Sequence, residues 1–442
     1  MPARLKWQLR WRLSVMWALQ WGITGAILTY LPLYFRKYKG LSDSELGPLM
    51  AVSAVGLWVA PFVVGQICDR WLATEKYLAI AHFVGGLTLL AIPFVTDLYA
   101  DPQTRTQQNF VVLLALIGLY AAAYLPTIPL ASSLTFRHLP DPDRQFGSVR
   151  IWGTVGWVMS GLALSLWLGR DAAYLWAVDA FPNWKPQLIE LKSSLGWVIE
   201  PSHSDCFHIA ALLSFALSSF CVFLPSTPPG RSERGAIAPL RTLQMFRDPT
   251  FSVLIAVSFL LAIVVPLYTY AMPNLLEQRQ YSADWVPAVM TIGQVSEFPA
   301  LLLLPLCLKR LGMKVTFAIG MAAWLVRYAI FTANAPDWLI LSGIGLHGVC
   351  HVFLIIVIQL YVDSQCPPDV RASAQNLFVF LTMGIAMPIG FLLGGQLGQW
   401  CFRVDGSTNY QQFFGAPAAV VLLLLVGYCL WFRVKEKGES KK

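Results

Sequence analysis

The feature that most constrains this chain is the recurrence, from end to end, of apolar runs about twenty residues long. They lie near residues 13 to 35, 46 to 67, 77 to 96, 109 to 131, 150 to 169, 207 to 224, 250 to 272, 285 to 307, 314 to 333, 338 to 362, 372 to 399 and 412 to 432. A helix rising about 1.5 Å per residue lets each run cross a hydrocarbon core of about 30 Å with its backbone satisfied internally. The expected fold is therefore an all-α membrane protein with twelve transmembrane helices. Composition agrees: only 13% of residues are charged, against about 25% in soluble proteins.

Basic residues set the expected orientation. With the N-terminus inside, cytoplasmic segments hold 22 of the 32 Lys and Arg residues. Both termini are thus expected in the cytoplasm, in a multi-pass protein of the plasma (inner) membrane. The first outer loop opposes the rule with Arg36, Lys37 and Lys39, although Asp43 and Glu45 lie close by. Because the basic residues flank spans, the net charge of +8 marks topology and contact with anionic lipid, and excludes nucleic acid as a partner. Arg4, Lys6, Arg10 and Arg12 precede an apolar run longer than a signal peptide's, of about 7 to 15 residues, so it should remain as the first span. Eight cysteines are scattered without metal-ligand spacing, and no cofactor, metal or catalytic nucleophile with a base is expected. The chain is not read as an enzyme.

Within the spans, ionisable residues are the informative exceptions. Glu297 lies twelve residues past Trp285, about 18 Å into the membrane and so near its midplane. An unpaired charge there costs at least about 2.5 to 3.5 kcal/mol, so this carboxyl must be protonated, paired or facing water. Gln294 precedes it by three residues, on nearly the same face. Arg327, His347 and His351 are expected at similar depth in the ninth and tenth spans. In the fifth span Arg150, Thr154 and Trp157 lie at i, i+4 and i+7 and share one face. That row can hold a polar ring compound; alternatively, Arg150 snorkels to the headgroups. The seventh span brings Pro266, Tyr268, Thr269, Tyr270 and Pro273, which predicts a bent outer half. Tyr120 and Tyr124 in the fourth span either stack on a ring-shaped solute or pack internally.

Between the second and third spans, Gly65, Asp69, Arg70 and Lys76 form a candidate ionic latch at a tight turn. A weaker echo, Lys309 to Lys314, stands six spans later, which implies a six-plus-six repeat. The expected bundles are residues 1 to 224, with a long outer loop at 170 to 206 that can hold a short interfacial helix, and 250 to 432. A Pro-rich, basic cytoplasmic linker at 225 to 249 joins them, and a charged cytoplasmic tail covers 433 to 442.

Together, Arg150-Ile151-Trp152-Gly153-Thr154-Val155-Gly156, Gln294-Val295-Ser296-Glu297, Ala323-Trp324-Leu325-Val326-Arg327-Tyr328 and Arg371-Ala372-Ser373-Ala374-Gln375 resemble the nucleoside–proton symporters of the major facilitator superfamily. The turn at Gly65 to Arg70 is similar to that superfamily's loop motif. The resemblance implies two six-helix bundles that alternate access to a nucleoside site between them. It matches Arg150, Thr154, Trp157, Gln294 and Glu297 to substrate-contacting positions. Two departures stand out: Pro266 and Thr269 occupy positions where the family presents glutamine and asparagine, and Val352, beside His351, replaces an aspartate. They fit a related solute, or a coupling site rearranged around His351.

The expected function is proton-coupled import of nucleosides or a related small polar solute by a monomer. Glu297, His351 and Arg327 are expected to serve proton coupling; Arg150, Thr154 and Gln294 to supply hydrogen bonds; and Trp157 with Tyr268 a stacking surface. The rival readings are a sugar or oligosaccharide transporter or an exporter of the same fold, and a non-transporting receptor for a small molecule.

Overall fold

Apolar side chains all round a helix are stable only in lipid or against other helices, and both environments are visible here. Leu302, Phe94 and Leu423 are 82%, 70% and 72% exposed, whereas Leu13, Met16 and Ile23 of the first span are fully buried. The structure is a computed structural model that describes residues 5–59, 64–194, 200–229, 249–365 and 371–432. Among these, nine stretches are long and apolar enough to cross a membrane. One of them, Ala283–Thr332, has 50 residues, more than twice what one crossing needs at about 1.5 Å per residue. It turns back at Gly312, whose φ of 75° lies in the region that favours glycine. Trp7–Ile27 and the interrupted helices between Asp43 and Arg70 complete twelve crossings.

Several local expectations need correction. The fifth span runs over Pro142–Leu168 and begins at Asp141, whose side chain accepts from the Arg144 amide. Polar residues ahead of Arg150 conceal this start in the sequence, because the helix extends beyond the apolar run. Arg150 is thus eight residues into the helix, not at its mouth, and does not snorkel. The seventh span, Pro249–Gln278, runs as one helix through Pro266 and Pro273. Conversely, the tenth span is interrupted: Asp337–Gly345, His347–His351, a π-helical turn at Val352–Ile356, then Val357–Gln365. The loop after the fifth span carries two helices, Arg170–Ala180 and Lys185–Ser194, with no buried residue in either.

In lipid there is no hydrophobic drive between helices, so close approach must come from small residues and hydrogen bonds. Gly156 shows this: a Cβ there would stand 2.0 Å from the Ala18 carbonyl oxygen, so the first and fifth spans pack backbone to backbone.

The two bundles meet on the side of the molecule away from the chain ends. There Asp43, 6% exposed, accepts from Arg36 at 3.3 Å and from the Tyr270 hydroxyl of the other bundle at 2.8 Å. Arg36 also donates to Thr408 at 2.7 Å, Lys37 pairs with Glu277 at 2.8 Å, and the Ser165 hydroxyl accepts from the Ala288 amide at 2.9 Å. Lys39 pairs with Asp97. Every base in the loop that opposes the orientation rule therefore has an acidic partner. From this far side the described inter-bundle hydrogen bonds continue to mid-depth, where the Trp58 indole donates to the Gly384 carbonyl.

Candidate functional site

The eighth and tenth spans are both broken at one depth, and the break builds the site. The eighth span's first helix, Val286–Val295, stops at Ser296, and the next begins at Glu297. The Ser296 hydroxyl donates to the Gly293 carbonyl at 2.6 Å and accepts the Gly348 amide of the tenth span at 2.8 Å. A Cβ on Gly348 would sit 2.0 Å from the Ser296 carbonyl oxygen, and one on Gly293 would touch His347 at 3.1 Å. This seam sets Glu297 beside His347.

Glu297 Oε1 lies 3.6 Å from His347 Nε2, each side chain 16% exposed. On its other edge, His347 Nδ1 is 3.2 Å from Arg327 Nη1. A guanidinium only donates, so Nδ1 accepts, and the neutral ring's proton is on Nε2, facing the carboxylate. His351 stacks on His347 with ring centroids 5.5 Å apart. Arg327 is fully buried and lies 3.5 Å over the Tyr268 ring and 4.9 Å from Trp324, cation–π contacts of the kind that hold a desolvated charge. It therefore reaches Glu297 only through His347.

The ligand atoms of Glu297, His347 and His351 come within 4.8 Å of one another, a grouping that sequence spacing does not show. A metal does not fit it. Binding through His347 Nε2 requires the proton to move to Nδ1, where Arg327 already donates.

Across the gap, Arg150 lies 4.5 Å over Trp21 and 4.7 Å over Trp17, and Trp21 stacks on Trp157 at 5.7 Å. Among the described residues Arg150 has no ion-pair partner. Buried Gln294 Oε1, Trp157 Nε1 and Trp21 Nε1 have no hydrogen-bond partner, which a bound solute can supply. Thr154 is half-buried one turn past Arg150.

Tyr268 is only 5% exposed, its ring covered by Arg327, His347 at 6.3 Å and Phe331 at 6.1 Å, so it orders Arg327 and offers no free face. Thr269, half-buried, projects about 100° around the helix from it. Val352 is 1% exposed. Tyr124 is used internally, with its hydroxyl 2.6 Å from Thr24 and its ring stacked on Tyr120 at 5.5 Å. Gln375 donates to the Gln359 carbonyl at 2.7 Å. Of the latch, Arg70 and Lys76 are exposed, while the side chains of Gly65 and Asp69 lie outside the described residues, as does most of the linker. Sequence reading missed Trp17 and Trp21. Their signal was an i, i+4 tryptophan pair in the first span, at the spacing that makes one face.

A family model described as nucleoside H+ symporter matches residues 7–176 and 187–437. The putative nucleoside transporter YegT of Escherichia coli K12 is 32% identical over 437 residues, covering 96% of this chain and 93% of its own length. The xanthosine permease of the same organism is 25% identical, covering 98% and 97%. The crystal structure of the nucleoside transporter NupG superposes with a TM-score of 0.76 at 22% identity, over 97% of this chain and all of that one, which shows a shared fold. The chain belongs to the nucleoside–proton symporter family, and is a multi-pass membrane transporter with the major facilitator fold.

Proposed function

We propose that this protein imports nucleosides with protons, Glu297 being the group that takes up and releases the proton. The observation that carries the reading is a half-buried carboxylate facing the donor edge of His347. Ionised, Glu297 attracts Arg150 across the gap; protonated, it does not. Occupancy therefore changes the free energy of closing the bundles, which is what coupling requires. Arg150, Thr154 and Gln294 hydrogen-bond the nucleoside, and Trp157, in line with Trp21, supports its base. His347 orients the carboxyl, and Arg327 fixes the His347 tautomer.

The residues 1 to 224 rock against 250 to 432 about the linker at 225 to 249. With both termini in the cytoplasm of a cell bounded by this plasma membrane, the sealed far side is the outside and the structure is inward-facing. One chain contains every group in this scheme, so the transporter acts as a monomer in the bilayer. Uptake of uridine and adenosine into proteoliposomes, with and without an inward proton gradient, tests the reading. Gradient-driven accumulation is expected, and uptake indifferent to the gradient refutes symport.

A further inference from the structure

The tenth and eleventh spans both lose α-helical register at mid-length. The tenth has a π-helical turn at Val352–Ile356 and the eleventh one at Phe380–Ala386, after which the Met387 amide reaches back to the Thr382 carbonyl. Such turns are rare and gather at functional sites. On the side that holds the chain ends, the remaining halves of the two spans, Val357–Gln365 and Arg371–Val379, are joined by the Gln375 side chain, which donates to the Gln359 carbonyl at 2.7 Å. Beyond its turn, toward the far side, the eleventh span is fixed within its own bundle: a Cβ on Gly390 would stand 2.1 Å from the Ile263 carbonyl oxygen of the seventh span.

The sequence explains the turn in the eleventh span. An α-helical bond to the Gly384 carbonyl would have to come from residue 388, which is a proline and has no amide hydrogen. A donor comes from the opposite bundle instead, the Trp58 indole. Its base is rigid, because a Cβ on Gly56 would stand 1.9 Å from the Ala121 carbonyl oxygen, so the second span packs backbone to backbone on the fourth. Nearer the far side the second and eleventh spans touch directly, a Cβ on Gly395 standing 3.0 Å from the Gly47 Cα. At Gly384 an indole fits between them. The Trp58 bond therefore stands where the two spans begin to diverge, innermost of the described inter-bundle hydrogen bonds.

We propose that Val357–Gln365 and Arg371–Val379 form one hinged flap over the chain-end side of the transporter, and that Trp58 is the catch that holds it. A buried carbonyl without its helical donor is stabilised by whichever donor reaches it. The shape of the eleventh span thus depends on where the second span stands. With the indole in place, the π turn is held and the flap keeps its described position. When the bundles rock and the indole withdraws, the flap is released to swing about its two turns. This rests on the alternation of the two bundles, and not on the identity of the solute or of the coupled ion.

Hydrogen exchange of the full chain in lipid nanodiscs tests the flap without any solute. In wild type, the amides of Val357–Gln365 and Arg371–Val379 are expected to exchange together and faster than those of Met387–Cys401; equal protection of all three overturns the flap, even if no variant folds. Trp58→Phe, which keeps a ring and loses the N–H, should raise exchange in both inner halves by about three- to tenfold, the effect of one hydrogen bond on local opening. Met387–Cys401 should not change, whereas a rise spread evenly over the chain marks a merely structural role and overturns the catch. Trp58→His, which keeps a donor, should stay nearer wild type. Pro388→Ala supplies the missing amide, so adding Trp58→Phe to it should change exchange no further; effects that multiply show that the two residues act apart, and overturn the catch as well. Uridine uptake per folded transporter should fall in Trp58→Phe with KM unchanged, and full uptake by that variant overturns the gating role. No uridine uptake by wild type counts against the proposed solute alone, and the exchange comparison still decides the flap.

Discussion

Each bundle sets a histidine among polar groups within its spans, His82 in the first and His347 in the second, yet the two clusters are built for different work. In the first, His82, 1% exposed, faces Gln20 Oε1 through Nε2 at 3.0 Å, and Gln20 Nε2 donates to the Thr127 hydroxyl at 2.8 Å. Thr127 in turn donates to the Tyr124 carbonyl at 2.5 Å, so it must accept from Gln20, and the proton on His82 must lie on Nε2. Every member is neutral, and the chain of donors ends on a backbone carbonyl. In the second bundle, Arg327 donates to His347, His347 faces Glu297, and the chain ends on a carboxylate open to the gap. A closed neutral network ties helices together; an open charged one can change its protonation and report that change. Burial of a histidine thus says little about its task until the last acceptor in its network is known.

The contrast can be broken at either end. Glu297→Gln should have the largest effect, a loss of gradient-driven accumulation of at least about tenfold, the change that about 1.4 kcal/mol produces. Exchange of labelled for unlabelled nucleoside without a gradient should survive, because the amide keeps the shape and loses only the titration. Next, Gly348→Ala should force apart the backbones of the eighth and tenth spans. Overpacking costs about 1–3 kcal/mol, read as a lower thermal midpoint in detergent together with a loss of uptake, since Glu297 and His347 both move. His347→Phe should cost about 1–3 kcal/mol by leaving a buried guanidinium N–H of Arg327 without an acceptor, and should also alter the pH profile of uptake. His82→Phe sharpens the comparison. It should cost about 1 kcal/mol of stability and leave the response to the proton gradient unchanged.

The smallest expected effect lies at the far-side mouth, outside the spans. Burial pushes the Glu45 carboxyl up, but hydrogen bonds from Ser42, Tyr99 and Arg105 outweigh it and hold the group at about 2, against an ordinary 4.5. A carboxylate with a depressed value stabilises the fold above its unfolded value and loses that contribution as pH falls. The thermal midpoint of wild type should therefore exceed that of Glu45→Gln at neutral pH and converge with it between 4.5 and about 2.

The sequence showed the twelve crossings because lipid demands long apolar runs, and it showed Glu297, Arg327, His347 and Arg150 as chemical exceptions within them. Their depths follow from rise per residue, which is local arithmetic. The seam between Ser296 and Gly348 was not legible, because it depends on which carbonyl a missing Cβ would strike, a relation between two spans. The tautomer of His347 was hidden for the same reason. Tyr268 was legible as an aromatic near the site, but only packing reveals that Arg327 already covers its ring. Trp21 was not singled out in the sequence, because only the packing of the fifth span, starting at Pro142, carries Arg150 onto it.

Asp43 at the far-side seal has a consequence for the whole cycle. Its carboxylate is held by Arg36 within its own bundle and by Tyr270 from the opposite one. When the bundles separate on that side, the tyrosine withdraws and water can take its place at the same oxygen. At Asp43, parting the bundles therefore exchanges one hydrogen bond for another of similar strength and leaves the pairing with Arg36 in place.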